Sequence, residues 1–313
     1  MVPARVGAAV AAIAISGSSF ALACSSCGCS LSSDWESQGL GAGTGLRFDV
    51  RYDYLNQNQI RSGTSRLSSW PAGHEQEQYT RNHYVTATLD YSATPDWGVS
   101  VQLPYIYRTH ATIDSTGDDG TSKTHAVGDI RVIGRYQGFS DEKNLGLQFG
   151  LKLPTGDYQQ TFNGGALAGQ ALDRGLQAGT GTTDVLVGGF HFAPLSQNWD
   201  YFVQALAQVP LYSKDEFKPG SSVNVNLGFR YMASEQIMPQ LQVNARIAGK
   251  DAGANAAPDD SGGKIIYLSP GVTFPVTEKV KLYAFIQWPV YQNLNGYQLA
   301  PKYTASVGTR FQF

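Results

Sequence analysis

Apolar and polar residues alternate one by one along most of the chain. In the segment 46–55, LRFDVRYDYL, every second residue is aliphatic or aromatic, and the residues between them are arginine or aspartate. A period of two is that of a β-strand with unlike faces. The same period recurs in VTATLDY (85–91), VSVQLPYIY (99–107), DIRVIGRY (129–136), LGLQFGLKL (145–153), VNVNLGFRY (223–231), LQVNARI (241–247), VKLYAFIQW (280–288) and YTASVGTRFQF (303–313). With three less regular segments, 182–193, 201–211 and 265–275, the pattern predicts about 12 strands.

The segments between the predicted strands differ in length in a regular way. Short connections are expected at 92–96, 140–144, 194–198, 233–237 and 276–278. Longer connections rich in Gly, Asp, Asn and Ser are expected at about 56–78, 112–126, 155–180, 213–221, 249–263 and 291–301. Short and long connections alternate, as in a transmembrane β-barrel with short periplasmic turns and long extracellular loops. The sequence therefore predicts an all-β, antiparallel up-and-down barrel over residues 46–313.

A secreted β-sandwich would also show alternating strands. Its outer faces would be rich in Lys and Glu, whereas the polar positions here are mainly Gly, Asn, Gln, Thr, Arg and Asp. Charged residues make up only 15% of the chain, and the net charge of −2 gives no reason to expect a nucleic-acid partner. The pattern favours apolar faces in contact with outer-membrane lipid.

Aromatic residues lie near the expected membrane boundaries. Trp97 and Trp199 follow short turns, and Trp288 ends its strand. Indole rings prefer the membrane–water interface. The chain ends in an alternating strand with Gly308, Phe311 and Phe313, which resembles the signal read by the outer-membrane barrel-assembly machinery, an expected partner.

Charged residues on the polar faces are predicted to point into the barrel. They are Arg47, Asp49, Arg51, Asp53, Asp90, Asp129, Arg131, Arg135, Arg230, Arg246 and Arg310. Two interpretations stay open for them. They form a structural network of cross-strand ion pairs, or they line a pore and select its solutes.

The first 23 residues have the pattern of a secretory signal peptide, with Arg5, an Ala-rich apolar stretch and Ala21-Leu22-Ala23. Segment 24–45 would then begin the exported protein on the periplasmic side and is expected to fold into the lumen as a small plug, with Trp35 and Leu40 as anchors. The predicted location is the outer membrane of a Gram-negative cell.

Three cysteines lie within CSSCGC (24–29), namely Cys24, Cys27 and Cys29. Thiolates are soft ligands that suit a metal such as Cu(I), whereas an oxidising compartment favours a disulfide. Lipidation of Cys24 is a further alternative. A soft metal is the one cofactor considered, with a periplasmic redox or metal carrier as its partner.

The segments GDIRVIGRYQGF, LGLQFGLKLPTGDY, GTGTTDVLVGG and YLSPGVTF resemble an outer-membrane family named for meta-pathway phenol degradation, which is distantly similar to fatty-acid-transporter-type channels. The resemblance covers most of residues 80–313. It implies a channel or transporter for small, often hydrophobic molecules, and offers no catalytic residues. The expected function is passage of a small solute, without enzymatic activity. The alternative is a non-transporting partner protein whose cysteines handle thiol or copper chemistry.

Overall fold

The computed structural model of the chain describes Trp35 and residues 38–40, 43–234 and 236–313. These residues form fourteen strands and one short 3-10 helix, Arg174–Leu176. Among them, no helix is both long and apolar enough to cross a membrane. The strands are β1 (Gly45–Gly63), β2 (Ser65–Arg66), β3 (Gln76–Ser92), β4 (Trp97–Ile113), β5 (Asp119–Val127), β6 (Ile130–Tyr136), β7 (Leu145–Leu153), β8 (Gly164–Gly165), β9 (Asp184–Pro194), β10 (Trp199–Pro210), β11 (Ser222–Tyr231), β12 (Met238–Ala248), β13 (Gly263–Pro275) and β14 (Val280–Gln312).

Eleven strands form a closed antiparallel wall, and β2, β5 and β8 extend it at one end. An odd number of strands cannot close with every neighbour antiparallel, and β14 resolves this by reversing direction. Its residues 281–294 pair with β13, and 294–312 pair with β1. The Gln312 amide donates to the Lys279 carbonyl at 2.8 Å where the two halves meet again. Counted as two, β14 completes twelve wall strands, as the sequence predicts.

The short turns all lie at one end of the barrel, the turn end, and the long loops at the other, the loop end. Two expected loops differ from the prediction. The segment 112–126 contains β5, which forms a hairpin with the extension of β4. The segment 291–301 is the reversal within β14, where Gly296 adopts a φ of +52°. The segment 112–126 is polar, so the composition of this projecting hairpin is that of a loop. The segment 291–301 instead contains Leu294, Leu299 and Ala300, which are buried where β14 reverses.

The two faces of the wall differ as the alternation predicts. Outward positions hold large apolar side chains that the described residues leave exposed, such as Leu89, Leu103 and Phe149. Trp97 and Trp199 are outward at the first residue of β4 and β10. Unpaired backbone groups are too costly in hydrocarbon, so a sheet that faces lipid must close on itself.

Candidate functional site: the barrel lumen

The inner wall near the turn end carries a buried ion network across β1, β3 and β6. Asp90 accepts from Arg47 at 3.2 Å and from Arg135 at 3.1 Å, one arginine on each carboxylate oxygen. Both guanidinium groups also donate to Ser92 Oγ at 3.0 Å. The side chains of the three charged residues are at most 6% exposed. One carboxylate therefore compensates two buried arginines.

Three neighbouring clusters contain further charged residues of the inner wall, near the turn end and in the middle of the lumen. Arg230 makes a bidentate pair with Asp200, at 2.8 Å for both contacts. The Tyr283 hydroxyl donates to Asp49 at 2.9 Å. Asp53 accepts from Arg51 and from Ser306 at 2.8 and 2.5 Å. The carboxylates that the alternation places inside are thus tied to the wall.

The inner wall also holds aromatic rings, which the sequence analysis does not anticipate for a wet lumen. Each ring lies over a glycine of the neighbouring strand, where a Cβ atom would come within 2.5 Å of it, in the pairs Phe202–Gly228, Phe285–Gly271, Tyr283–Gly308 and Phe190–Gly146. The inward glycines are therefore required by packing. In the sequence, these inward glycines can be recognised because they occupy polar positions of the alternating strands.

Two of the described residues that precede β1, Trp35 and Leu40, pack on rings of the inner wall. Trp35 is 3% exposed and meets the Tyr283 ring edge-on at a centroid distance of 5.1 Å. Leu40 packs against the same cluster of Trp35, Tyr283 and Phe285. Arg230 donates to the Gln38 carbonyl at 2.5 Å. That segment 24–45 forms a plug stays a prediction, because most of it lies outside the described residues.

A cavity of about 310 Å³ lies beside this segment at the turn end. Its lining combines Gly39 with apolar Phe192, Trp199 and Met232 and the charged pair Asp200 and Arg230. The cavity is open, and it places a mixed apolar and polar surface between the lumen and the turn-end exterior.

Near the loop end, a second buried ion cluster joins the wall to the long segment 154–183. Lys152 Nζ lies 2.8 Å from Asp129 and 3.1 Å from Asp184 and also contacts Thr180 Oγ1. Asp129 further accepts the backbone amides of Gly156 and Thr180, both at 3.0 Å. This segment is therefore fastened to the inner wall at both of its ends.

Amide side chains connect the wall strands between the two ion clusters. Gln204 donates to Gln148 at 2.9 Å, and Asn244 donates to Asn226 at 2.7 Å. Ser269 in turn donates to Asn244 at 2.6 Å. All of these side chains are buried. Cross-strand hydrogen bonds of this kind satisfy polar groups without a net charge.

Three inward arginines differ from the rest because they remain partly accessible: Arg51, Arg131 and Arg246. They come from β1, β6 and β12, which are separated by three, five and four steps around the wall. Arg131 lies in the electrostatic field of Arg246 and Arg51, and also in that of the carboxylates Asp184 and Asp129. Arg131 donates to Gln208 at 3.2 Å, and Arg246 donates to Asn224 at 3.2 Å, so both arginines have neutral amide partners here. We call these residues the arginine trio.

The structure thus separates the eleven predicted lumen residues into two groups. The trio remains accessible, and the other eight are buried: Arg47, Asp49, Asp53, Asp90, Asp129, Arg135, Arg230 and Arg310. Lys152, Asp184 and Asp200 complete the ion clusters, and the sequence analysis did not single them out. Lys152 occupies a polar position of the alternating segment LGLQFGLKL, so the alternation could have predicted that it points into the lumen. Asp184 and Asp200 are the first residue of β9 and the second residue of β10, and alternation is least informative at the ends of strands.

The predicted assembly residues lie in the last wall strand. Gly308 pairs with Arg51, and the Phe311 ring stacks on Phe48 at 6.4 Å. Phe313 is 70% exposed. Recognition by an assembly machinery stays a prediction, and so do the signal peptide and the roles of Cys24, Cys27 and Cys29, which lie outside the described residues.

Glu75 at the loop end predicts a response to pH. Burial, with Asp173 and then Asp114 adding repulsion, raises the pKa of this carboxyl to about 8, although Thr112 donates to it. A raised pKa in the folded state gives stability that is complete below the unfolded value of 4.5 and is lost as the pH rises through about 8. We expect the ionised Glu75 to repel Asp173 and to loosen the packing of segment 154–183 at the loop end above pH 8. Proteolysis of segment 154–183 at pH 6 and pH 9.5 measures this.

The matched variant for that experiment is Glu75→Gln, which cannot ionise and should make the cleavage rate at pH 9.5 equal to that at pH 6. Glu278→Gln changes an exposed carboxylate at the turn end and should retain the wild-type response. A wild-type cleavage rate that is equal at both pH values would contradict the prediction.

The chain was compared with protein families, curated proteins and solved structures. No protein-family profile and no curated protein matches the chain. Among solved structures, an outer-membrane channel from Pseudomonas putida F1 has a TM-score of 0.64 at 15% identity, over 90% of this chain and 99% of that one. The β-domain of the Bordetella autotransporter BrkA has a TM-score of 0.51 at 13% identity, over 86% and 100% of the respective chains. The chain therefore has the fold of outer-membrane β-barrels, and it shares nearly the full extent of that fold with the channel from Pseudomonas.

Proposed function

We propose that this protein is an outer-membrane channel for small solutes. The observation that carries the proposal is a closed wall with an apolar exterior and a polar interior that retains accessible arginines. A barrel that served only as an anchor would gain nothing from unburied charge in its lumen. The solved outer-membrane channel from Pseudomonas putida F1, which shares the fold, supports the same proposal.

The arginine trio defines the solute preference of the proposed channel. The inward carboxylates Asp49, Asp53, Asp90, Asp129 and Asp184 are buried and hydrogen-bonded to wall residues. The arginines of the trio are therefore more accessible than these carboxylates. Rings of Arg or Lys select anions in pores, so the channel should prefer small anionic solutes or solutes with an electron-rich polar group.

The orientation follows from the two ends of the barrel. In outer-membrane barrels the short turns face the periplasm and the long loops face the exterior. The segment around Trp35 would then lie at the periplasmic mouth and narrow the exit of the lumen. The cavity beside Gly39 offers the route around it, with apolar rings suited to a partly hydrophobic solute.

Conductance in planar bilayers tests the proposal. The purified protein should open steps of defined conductance in KCl, and these should persist in the variant Cys24→Ser/Cys27→Ser/Cys29→Ser. Persistence would assign flux to the barrel and leave the cysteines to a separate role in disulfide formation or metal binding. A folded wild-type protein that never conducts would reject the channel and favour the partner protein with thiol or copper chemistry.

A further inference from the structure

The outer face of the wall changes from apolar to basic along one line, near the loop end of β3, β4 and β5. Arg81 on β3 pairs in register with Thr109 on β4, which pairs with Lys123 on β5. On the other side, Arg81 pairs with Asn56, which pairs with Tyr303 next to Lys302. We call Arg81, Lys123 and Lys302 the basic belt.

The side chains of the basic belt point away from the lumen. All three residues are exposed, whereas the flanking residues Asn82 and Ser122 are at most 4% exposed and face inward. The Arg81 guanidinium lies over the Tyr79 ring at 4.5 Å. No residue in the described part of the chain forms an ion pair with a member of the belt.

A row of aromatic and histidine side chains runs directly below the belt. Tyr54, His83, Tyr107 and His125 pair in register across β1, β3, β4 and β5. The His83 ring lies 5.2 Å from Tyr54 and 5.4 Å from Tyr107. Rings with polar edges form the girdle at a membrane interface. Below this row the outer face is apolar, with Val85 and Tyr105 at least 40% exposed.

The height of the belt agrees with this boundary. Arg81 lies eleven residues along β3 from Ser92 at the turn end. At the rise of a strand and the usual tilt in a barrel, this separation spans about 28 Å along the membrane normal, close to the height of an apolar band. The belt therefore lies where lipid headgroups begin.

The charge of the surface indicates what it binds. The other residues of the belt row, Asn56, Thr109 and Tyr303, carry no charge but can form hydrogen bonds. Asp119 is an exposed carboxylate on the same face of β5, and it lies about 13 Å further along the strand. Basic side chains around hydrogen-bonding groups, directly above an apolar wall, complement a phosphorylated headgroup that is attached to acyl chains.

We propose that the basic belt binds a phosphorylated lipid of the outer leaflet. The belt residues would hold the phosphates, and the apolar wall below would hold the acyl chains. The site includes β5, which extends the wall and has only two residue pairs with β8 on its free side, at Gly120 and Thr121. The bound lipid would stabilise this projecting hairpin. The proposal relies on the outer-membrane location included in the proposed function, but not on conductance.

Lipid binding to the purified protein in detergent tests the proposal. The probe is lipid A with two phosphates, measured by native mass spectrometry beside phosphatidylcholine and inorganic phosphate. The variant Arg81→Ala/Lys123→Ala/Lys302→Ala should bind lipid A about 100-fold more weakly than the wild type. The control Lys143→Ala/Lys250→Ala/Lys279→Ala removes the same charge from exposed turns and loops away from the belt and should change binding less than threefold.

The charge-preserving variant Arg81→Lys/Lys123→Arg should retain lipid A binding, which separates loss of charge from misfolding. Equal lipid A binding by the belt and control variants would overturn the proposal. So would binding of inorganic phosphate or phosphatidylcholine as tight as that of lipid A. None of these outcomes depends on whether the protein conducts, so failure of the channel proposal remains distinguishable.

Discussion

Replacement of Asp90 by Ala is expected to lower the free energy of unfolding by about 3–5 kcal/mol, because it leaves two buried arginines without their shared counter-ion. Arg47 and Arg135 are 1% and 4% exposed and reach Asp90 at 3.2 and 3.1 Å. Urea unfolding in detergent, followed by the heat-modifiable migration of the barrel, measures the change.

The matched control is Asp96→Ala in the neighbouring turn. Asp96 also pairs with a cation, Lys143, at 2.6 Å, but the two side chains are 40% and 34% exposed. Exposed pairs contribute about 0–1 kcal/mol, so this variant should unfold close to the wild type. Equal unfolding midpoints for the two variants would contradict the interpretation of the Asp90 network as a structural element.

Neutralising two members of the arginine trio is expected to reduce the preference for anions by about tenfold, because a unit charge about 4 Å from a permeating ion contributes about 1 kcal/mol even at the dielectric constant of water. The variant is Arg131→Gln/Arg246→Gln, in which glutamine retains a hydrogen-bond donor toward Gln208 and Asn224. Arg51 is left unchanged because it pairs with Asp53 at 2.8 Å. The reversal potential in a KCl gradient reports the ratio of chloride to potassium permeability.

The control for this measurement is Lys264→Gln/Lys279→Gln, which removes the same charge outside the lumen and should leave the reversal potential unchanged. A cation-selective wild-type channel, or a reversal potential that the Arg131 and Arg246 substitutions do not shift, would show that the trio does not set selectivity.

The two predictions separate the two interpretations that the sequence leaves open for the inward charges. Asp90 and its arginines represent the structural network, and the trio represents the lining of a pore. Both exist in the same lumen because the wall supplies more inward arginine side chains than the carboxylates can neutralise in pairs. The sequence alone shows the sum of these charges and not their distribution.

The fold followed from local patterns to a large extent. Alternation with a period of two decides which side chains of a strand share a face, and it placed all eleven charged positions inside, including Arg47 at 1% and Arg310 at 5% exposure. The alternation of short and long connections predicted the two ends of the barrel. These properties depend on residues that are near one another in the chain, so no knowledge of long-range pairing was needed.

The sequence alone therefore predicts a closed sheet with a lipid-facing exterior and a charged interior. The three-dimensional structure was needed to show that Asp90 joins Arg47 and Arg135, that only Arg51, Arg131 and Arg246 of the predicted lumen residues remain partly accessible, and that Trp35 packs on Tyr283. It also revealed the basic belt, whose members come from β3, β5 and β14. These contacts depend on the register of the strands, because the shift of each strand against its neighbours decides which residues meet across a barrel. A pattern that repeats every two residues contains no information about that shift.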